Sequence, residues 1–295
     1  MSDVTNLRQA KNKVEVMGIL AEKDIHPAKN AANQKECLEG YVSIKIDEIN
    51  QIRIRVSADV TKKDGTENPA YVNLKGFNEN AVSIAEGGLE NASRVMSNSV
   101  QLNPYYSAQS GRDVLGYRTG FISVFRGSEE DWEPKAEASV ELYIKAIVPE
   151  MNNDEETGRL LLKGIMPTFN GVEPLTLIVP KEIADDFESG YEVGQTAEFF
   201  ADVINNRAEW TKETPVRIGK PKIEKVVEYT NELVVTGASD PFEEEKAYDR
   251  EAIKLALAER DERIKNAANK PRGNAGGNGG QGRPSGASMG RKATW

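Results

Sequence analysis

A chain of 295 residues, 38% hydrophobic and 29% charged, has room for one large or two ordinary domains and a hydrophilic but foldable composition. Its one cysteine, Cys37, and one histidine, His26, exclude an intrachain disulfide framework and a Cys/His zinc site, so no metal or cofactor is expected. The net charge of −9 is unevenly spread: residues 127–264 carry 16 basic and 32 acidic groups, whereas residues 265–295 carry 6 basic and no acidic groups.

The opening MSDVTNLRQAKNKVEV contains no apolar run of about 7–15 residues, so no signal peptide is expected. No segment reaches the roughly 18 apolar residues of a membrane span, which predicts a soluble chain without membrane contact, cytoplasmic, or in the host cytoplasm if viral. NKVEVMGIL reads as a strand, followed by a long polar loop through Gln34 in which His26 is a solvated residue. YVSIKIDEINQIRIRV then alternates strictly, as two half-buried strands do. Val42, Ile44, Ile46, Ile52, Ile54 and Val56 point inward; Tyr41, Ser43, Lys45, Gln51, Arg53 and Arg55 point outward, with no carboxylate on either strand. Asp64-Gly65 signals a turn leading to a predicted strand over 70–77, with Tyr71, Asn73 and Lys75 opposite Val72 and Leu74. ENAVSIAEGGLENASRVMSNSV has some helical spacing, weakened by Gly87-Gly88. LGYRTGFISVFRG returns to alternation, with Tyr117, Thr119, Phe121, Ser123 and Phe125 on one face.

The acidic connector GSEEDWEPKAE marks a boundary between a first domain, 1–127, and a second, 136–239. The second domain reads as ASVELYIKAIVPEM, a turn at NNDEETG, RLLLKGIMPTF, PLTLIVP, a short helix after Pro180 ending near Gly190, TAEFFADVINN, and one or two further strands. A helix between the third and fourth of about five strands is the order of a small Greek-key barrel, the OB-fold, and the first half follows a similar order. The expected fold is therefore mostly β: two OB-like Greek-key barrels, a C-terminal helix over 240–270 and a disordered, basic, Gly-rich tail over 271–295. The helix has a narrow apolar stripe, Ile253, Ala256, Leu257 and Ile264, suited to packing on the second domain or to contacting a partner.

Catalytic motifs find no support. Gly277-x-Gly279-x-x-Gly282 spells a dinucleotide fingerprint, but no strand and helix flank it. The acidic turn Asn152–Glu156 lacks calcium-loop spacing, and the carboxylates form no acid–base pair, so a non-enzymatic protein is expected. The first half instead collects cations and aromatic rings. Single strands are bound by a cationic groove that tracks phosphates and by rings on which bases stack. The candidate nucleic-acid-binding residues are Tyr41, Lys45, Arg53, Arg55, Lys62, Lys63, Tyr71, Lys75, Phe77, Arg112, Tyr117 and Arg118, with Tyr105, Tyr106, Phe121, Phe125 and Arg126 nearby. Some of these aromatics must fill the barrel.

These segments resemble the bacterial and phage single-stranded-DNA-binding proteins. The similarity lies in Asn12-Lys13-Val14, the basic strand Arg53 to Val60, the turn Lys62-Lys63-Asp64-Gly65, the segment Tyr71 to Phe77 and the glycine-rich tail. The resemblance implies an OB-fold that coats single-stranded DNA without regard to sequence during replication or recombination, with RNA as a second candidate strand. It also suggests self-association, or a replication-protein partner engaged through the 240–270 helix and the tail. Two departures, two barrels in one chain and a basic C-terminus in place of an acidic tip, point to a divergent, phage-type member. The alternative is a structural or assembly protein, such as a virion or tail component, using its barrels as spacers.

Overall fold

Strand pairing in the first half follows from the inward alternation of valine, isoleucine and leucine. In a computed structural model that describes residues 7–214 and 221–269, these residues line three long strands. They are β1 (Asn12–Lys29), β2 (Glu36–Lys45) and β3 (Gln51–Asp59), joined antiparallel. Next come α1 (Pro69–Asn80), α2 (Ile84–Gly87) and β4 (Arg94–Leu102). The half ends with β5 (Tyr105–Ser107), β6 (Arg112–Val114), β7 (Tyr117–Thr119) and β8 (Ser123–Val124). β4 returns to β1, and β7 pairs antiparallel with β4 and parallel with β3, so the order β1-β2-β3-β7-β4-β1 closes a barrel. β5 and β6 form a separate two-stranded hairpin that projects from it.

Four expectations for this half are corrected. The polar stretch after Leu20 is the continuation of β1, with residues 22–29 paired to β2; its side chains are polar because one face meets solvent, and His26 is exposed on this strand beside Asp24. Residues 70–77 are helical. Asn68 caps the helix by accepting a hydrogen bond from the Ala70 amide at 3.1 Å, and Pro69 occupies the first turn, where its missing N–H costs nothing. Leu74 and Phe77, three apart, are its buried residues. The segment expected to be helical shrinks to α2 and a 3-10 turn at Leu89–Asn91 before β4 begins. Finally, the alternation of residues 117–125 breaks at Gly120: Tyr117 and Thr119 point inward before it, Ile122 after it, and Phe121 points out.

The second half follows the expected order. It consists of β9 (Lys135–Asn152), β10 (Glu155–Thr168), β11 (Gly171–Val179), α3 (Ala184–Gly190), β12 (Thr196–Thr214) and β13 (Lys222–Ala238). Antiparallel pairings β9–β10, β10–β11, β12–β13 and β9–β12, with a parallel contact between Ile178 of β11 and Val234 of β13, close the second OB-like barrel. The protein is thus mostly β, with two OB-like barrels and a C-terminal helix; the Gly-rich tail lies outside the described residues.

The two barrels share one sheet. The opening residues of β1 and β9 pair antiparallel, from Asn12 opposite Val140 to Met17 opposite Lys135, and a continuous apolar core runs through both halves. Asn50, in the β2–β3 turn, is buried against β12: its amide donates to the Val203 carbonyl at 3.1 Å and accepts from the Asn205 amide at 2.9 Å. The chain then turns through residues 240–249, where an uninterrupted helix was expected, and α4 (Arg250–Asn269) follows Asp249, whose carboxylate caps it by accepting from the Ala252 amide at 2.8 Å. Ile253 and Ala256 are buried and Leu257 packs against the core, so these three residues of the stripe are used within the chain, where α4 meets β11; Ile264 is half-buried.

Candidate nucleic-acid interface

The outer face of β2, β3 and β7 carries the cationic, aromatic surface. Arg53 and Arg55 alternate outward on β3, and the Arg53 guanidinium lies 4.3 Å from the centre of the Tyr41 ring on β2, a diagonal cross-strand neighbour. Arg55 and Arg118 are direct partners where β3 and β7 run parallel, and both are exposed. Arg118 is steadied by Gln101, whose Oε1 accepts from its Nη2 at 3.2 Å. Arg55 reaches the other way, its Nη2 3.5 Å from Glu39 Oε2 on β2, so the two guanidinium groups present donors along both flanks of this face.

Around the arginines a continuous groove is walled by aromatic and polar side chains. One part is lined by Tyr41, Arg53, Arg55, Asn103 and Tyr105; the other by Arg55, Ser57, Gln101, Arg118 and Phe121. Tyr41, Tyr105 and Phe121 are 41%, 48% and 45% exposed, enough to offer a ring face to a base. Tyr105 sits on the β5–β6 hairpin with its ring against Gly116, where a Cβ would approach the ring to 3.4 Å. Phe121 is held outward by the break after Thr119: Ser97 Oγ donates to its carbonyl at 2.7 Å, and its amide donates to Thr119 Oγ1 at 3.1 Å.

The remaining sequence candidates are dispersed. Lys62 and Lys63 are exposed in the turn between β3 and α1, where Lys35 Nζ donates to the Lys62 carbonyl at 3.0 Å. Lys75 is exposed on α1, and Tyr71 on the same helix packs against the core. Arg112 is exposed at the start of β6, and Lys45 is half-buried at the far end of β2. Phe77 and Tyr117, 4% and 3% exposed, have no ring face to offer. The Tyr117 hydroxyl donates to Asn231 Oδ1 of the second barrel at 2.8 Å, and burial pushes its pKa up. Because β2 begins at Glu36, the strand does carry carboxylates: Glu39 Oε2 lies 3.5 Å from Arg55 Nη2. The sequence reading did not single out Ser57, Gln101 or Asn103; small neutral polar residues carry no signal until topology brings them together.

The corresponding face of the second barrel is chemically different. Its parallel closing pair is Ile178 and Val234 where the first barrel has two arginines. Arg159 on β10 is committed to carboxylates, donating from Nε to Glu150 at 2.7 Å and from Nη1 to Glu232 at 3.3 Å. The bond from Arg159 holds the Glu150 carboxyl below its usual range. Among the described residues no cluster of histidine, cysteine, aspartate or glutamate could hold a metal, and no helix is long and apolar enough to cross a membrane.

A family model described as YorF matches residues 11–270 of the chain. A search of curated proteins gives no match. Among solved structures, the single-stranded DNA binding protein of Thermus aquaticus is similar at 10% identity and a TM-score of 0.47, over 80% of this chain and 95% of that one. A deletion variant of the Thermus aquaticus protein matches at 11% identity and a TM-score of 0.46, over 83% and 100% of the two chains. A Replication Protein A heterotrimer bound to ssDNA matches at 6% identity and a TM-score of 0.26, over 91% and 72%. The barrels themselves are defined by the strand order and register described above.

Proposed function

The chain belongs to the YorF family, and we propose that its first barrel binds single-stranded nucleic acid, DNA before RNA, without catalysis. The observation that carries this reading is the exposed Arg55–Arg118 pair, set among Tyr41, Tyr105 and Phe121. The two exposed guanidinium groups offer several N–H donors to a phosphate, which would compete with Glu39 for Arg55, while the flanking rings suit bases of any identity. The face formed by strands two and three of an OB-fold, with the loop between strands four and five, is a known platform for oligonucleotides, and here that loop is the β5–β6 hairpin. Coating of exposed strands during replication or recombination is the role this surface suits.

The test is fluorescence anisotropy with labelled oligo-dT and a duplex of equal length. Binding is expected for the single strand alone, with log K falling against log salt at about −0.7 per phosphate neutralised. Equal binding to both, no binding, or a flat salt response overturns the reading and favours an assembly protein with the barrels as spacers.

A further inference from the structure

The hairpin that brings Tyr105 to the groove stands apart from the barrel sheet, as a two-stranded ribbon of its own. At its base the Asn103 amide donates to the Gly116 carbonyl at 2.7 Å. Farther out, its β6 strand is tied to the other half of the molecule. Arg260 of α4 is buried and donates from Nη2 to Asp113 Oδ1 and, at 2.8 Å, from Nε to Glu173 Oε2 on β11. One guanidinium therefore bridges the C-terminal helix, the second barrel and the arm of the first. Beside this bridge lies an open cleft lined by Tyr105, Tyr106, Ile264 and Ala267, so the ion pair spans a gap between hairpin and helix. Asp113 is the cross-strand partner of Tyr106, and the next pair along the ribbon is Val114 with Tyr105, so Asp113 lies one residue pair from the Tyr105 ring in a hairpin of only three pairs.

We propose that Arg260 is a positioning residue for the nucleic-acid groove: by clamping Asp113, α4 and the second barrel hold the β5–β6 hairpin so that Tyr105 faces the groove. This inference rests on the binding function proposed for that groove. It gives the acidic second half a part in binding that requires no contact with the strand. It also makes binding and helix docking reciprocal, since whatever favours the seated hairpin favours both.

The experiment is a double-mutant cycle read by oligo-dT anisotropy on the full chain. Asp113 is the preferred handle, because its half-exposed carboxylate can become an amide while Arg260 keeps Glu173. Tyr105→Ala and Asp113→Asn are each expected to weaken binding, by about five- to tenfold for the ring. Asp113→Asn in the Tyr105→Ala background is expected to cost nothing further, because the clamp acts through that ring. Equal losses in both backgrounds, or no loss from Asp113→Asn, overturn the proposal. Arg260→Lys, which keeps the charge but cannot reach both carboxylates in the same fork, is expected to recover only part of the affinity lost in Arg260→Gln. Amide hydrogen exchange on the free protein supplies a readout independent of binding: Asp113→Asn should accelerate exchange across 105–114 and leave β1–β3 unchanged. Unchanged exchange in the hairpin removes the clamp. If Arg53→Ala with Arg55→Ala leaves affinity intact while Asp113→Asn accelerates exchange, the clamp stands as structure and the groove's function is what fails.

Discussion

Arg53, Arg55 and Arg118 differ from Tyr117 and Phe77 in one respect, the direction in which the strand or helix points the side chain. Arg53→Ala combined with Arg55→Ala is expected to weaken binding at least about tenfold for every base composition, since phosphate contacts position a strand without reading it. Tyr117→Phe should leave that affinity unchanged and lower stability by about 1 kcal/mol through the lost bond to Asn231; denaturant unfolding beside anisotropy separates the two effects. A second residue-level expectation concerns Glu141, which meets Arg8, the Lys11 amide and the Tyr248 hydroxyl. Burial works to raise its pKa, and the bonds from Arg8 and Lys11 outweigh it and hold the carboxyl low. A depressed acid stabilises the fold above its unfolded pKa of about 4.3, and that contribution is lost as pH falls through the folded value. Glu141→Gln should therefore lower the melting temperature at pH 7, with the gap to the wild type closing toward pH 3. The outward placement of Arg53 and Arg55 was legible from alternation alone. Tyr117 was misassigned because Gly120 resets the phase of its strand, and a single glycine in an alternating run does not announce which half keeps the inward phase.

At the level of elements, the second barrel was readable because three of its boundaries carry strong punctuation: the Asn153-Asp154 turn with both φ positive, Pro180 before α3 and Gly190 at its end. The first barrel defeated the reading at α1. PAYVNLKGFNEN lacks a leucine-alanine stripe, and Val72 and Leu74 imitate strand alternation, yet the Asn68-Pro69 start decides for a helix. The end of the C-terminal helix nearest the barrel was misread for a related reason, since the acidic run 243–245 has helix-forming composition without a cap until Asp249. Gly40 lies within the β1–β2 ladder, opposite Ile25. Its φ is +153°, and a Cβ there would come within 1.8 Å of the Asp24 carbonyl oxygen. Gly40→Ala must push β2 away from β1 and is expected to cost about 1–3 kcal/mol or more. Circular-dichroism melts check this; a neutral result would mean the ribbon can slide.

For the molecule as a whole, charge was the most informative sequence property. The acidic excess of residues 127–264 corresponds to a barrel in which Arg159 is already matched by Glu150 and Glu232. What charge could not reveal was how the halves join, because Asn50, Tyr117 and Arg260 reach across with ordinary polar groups whose partners lie far along the chain. The basic residues of 265–295 should add attraction for a polyanion at low ionic strength. Deleting residues 271–295 is expected to reduce oligo-dT affinity at about 20 mM salt and to matter little at about 300 mM, where screening is short-ranged; titrations at both salts decide it.

The antiparallel seam between β1 and β9 has a consequence for dilution. Two barrels whose opening strands pair edge to edge are held by a covalent tether, so their association is intramolecular and keeps its strength at any protein concentration. The same pairing occupies both strand edges along this seam, which closes them to templated addition of a further strand. A strand taken up by the proposed groove would therefore meet the two barrels already joined, with no prior assembly step between them.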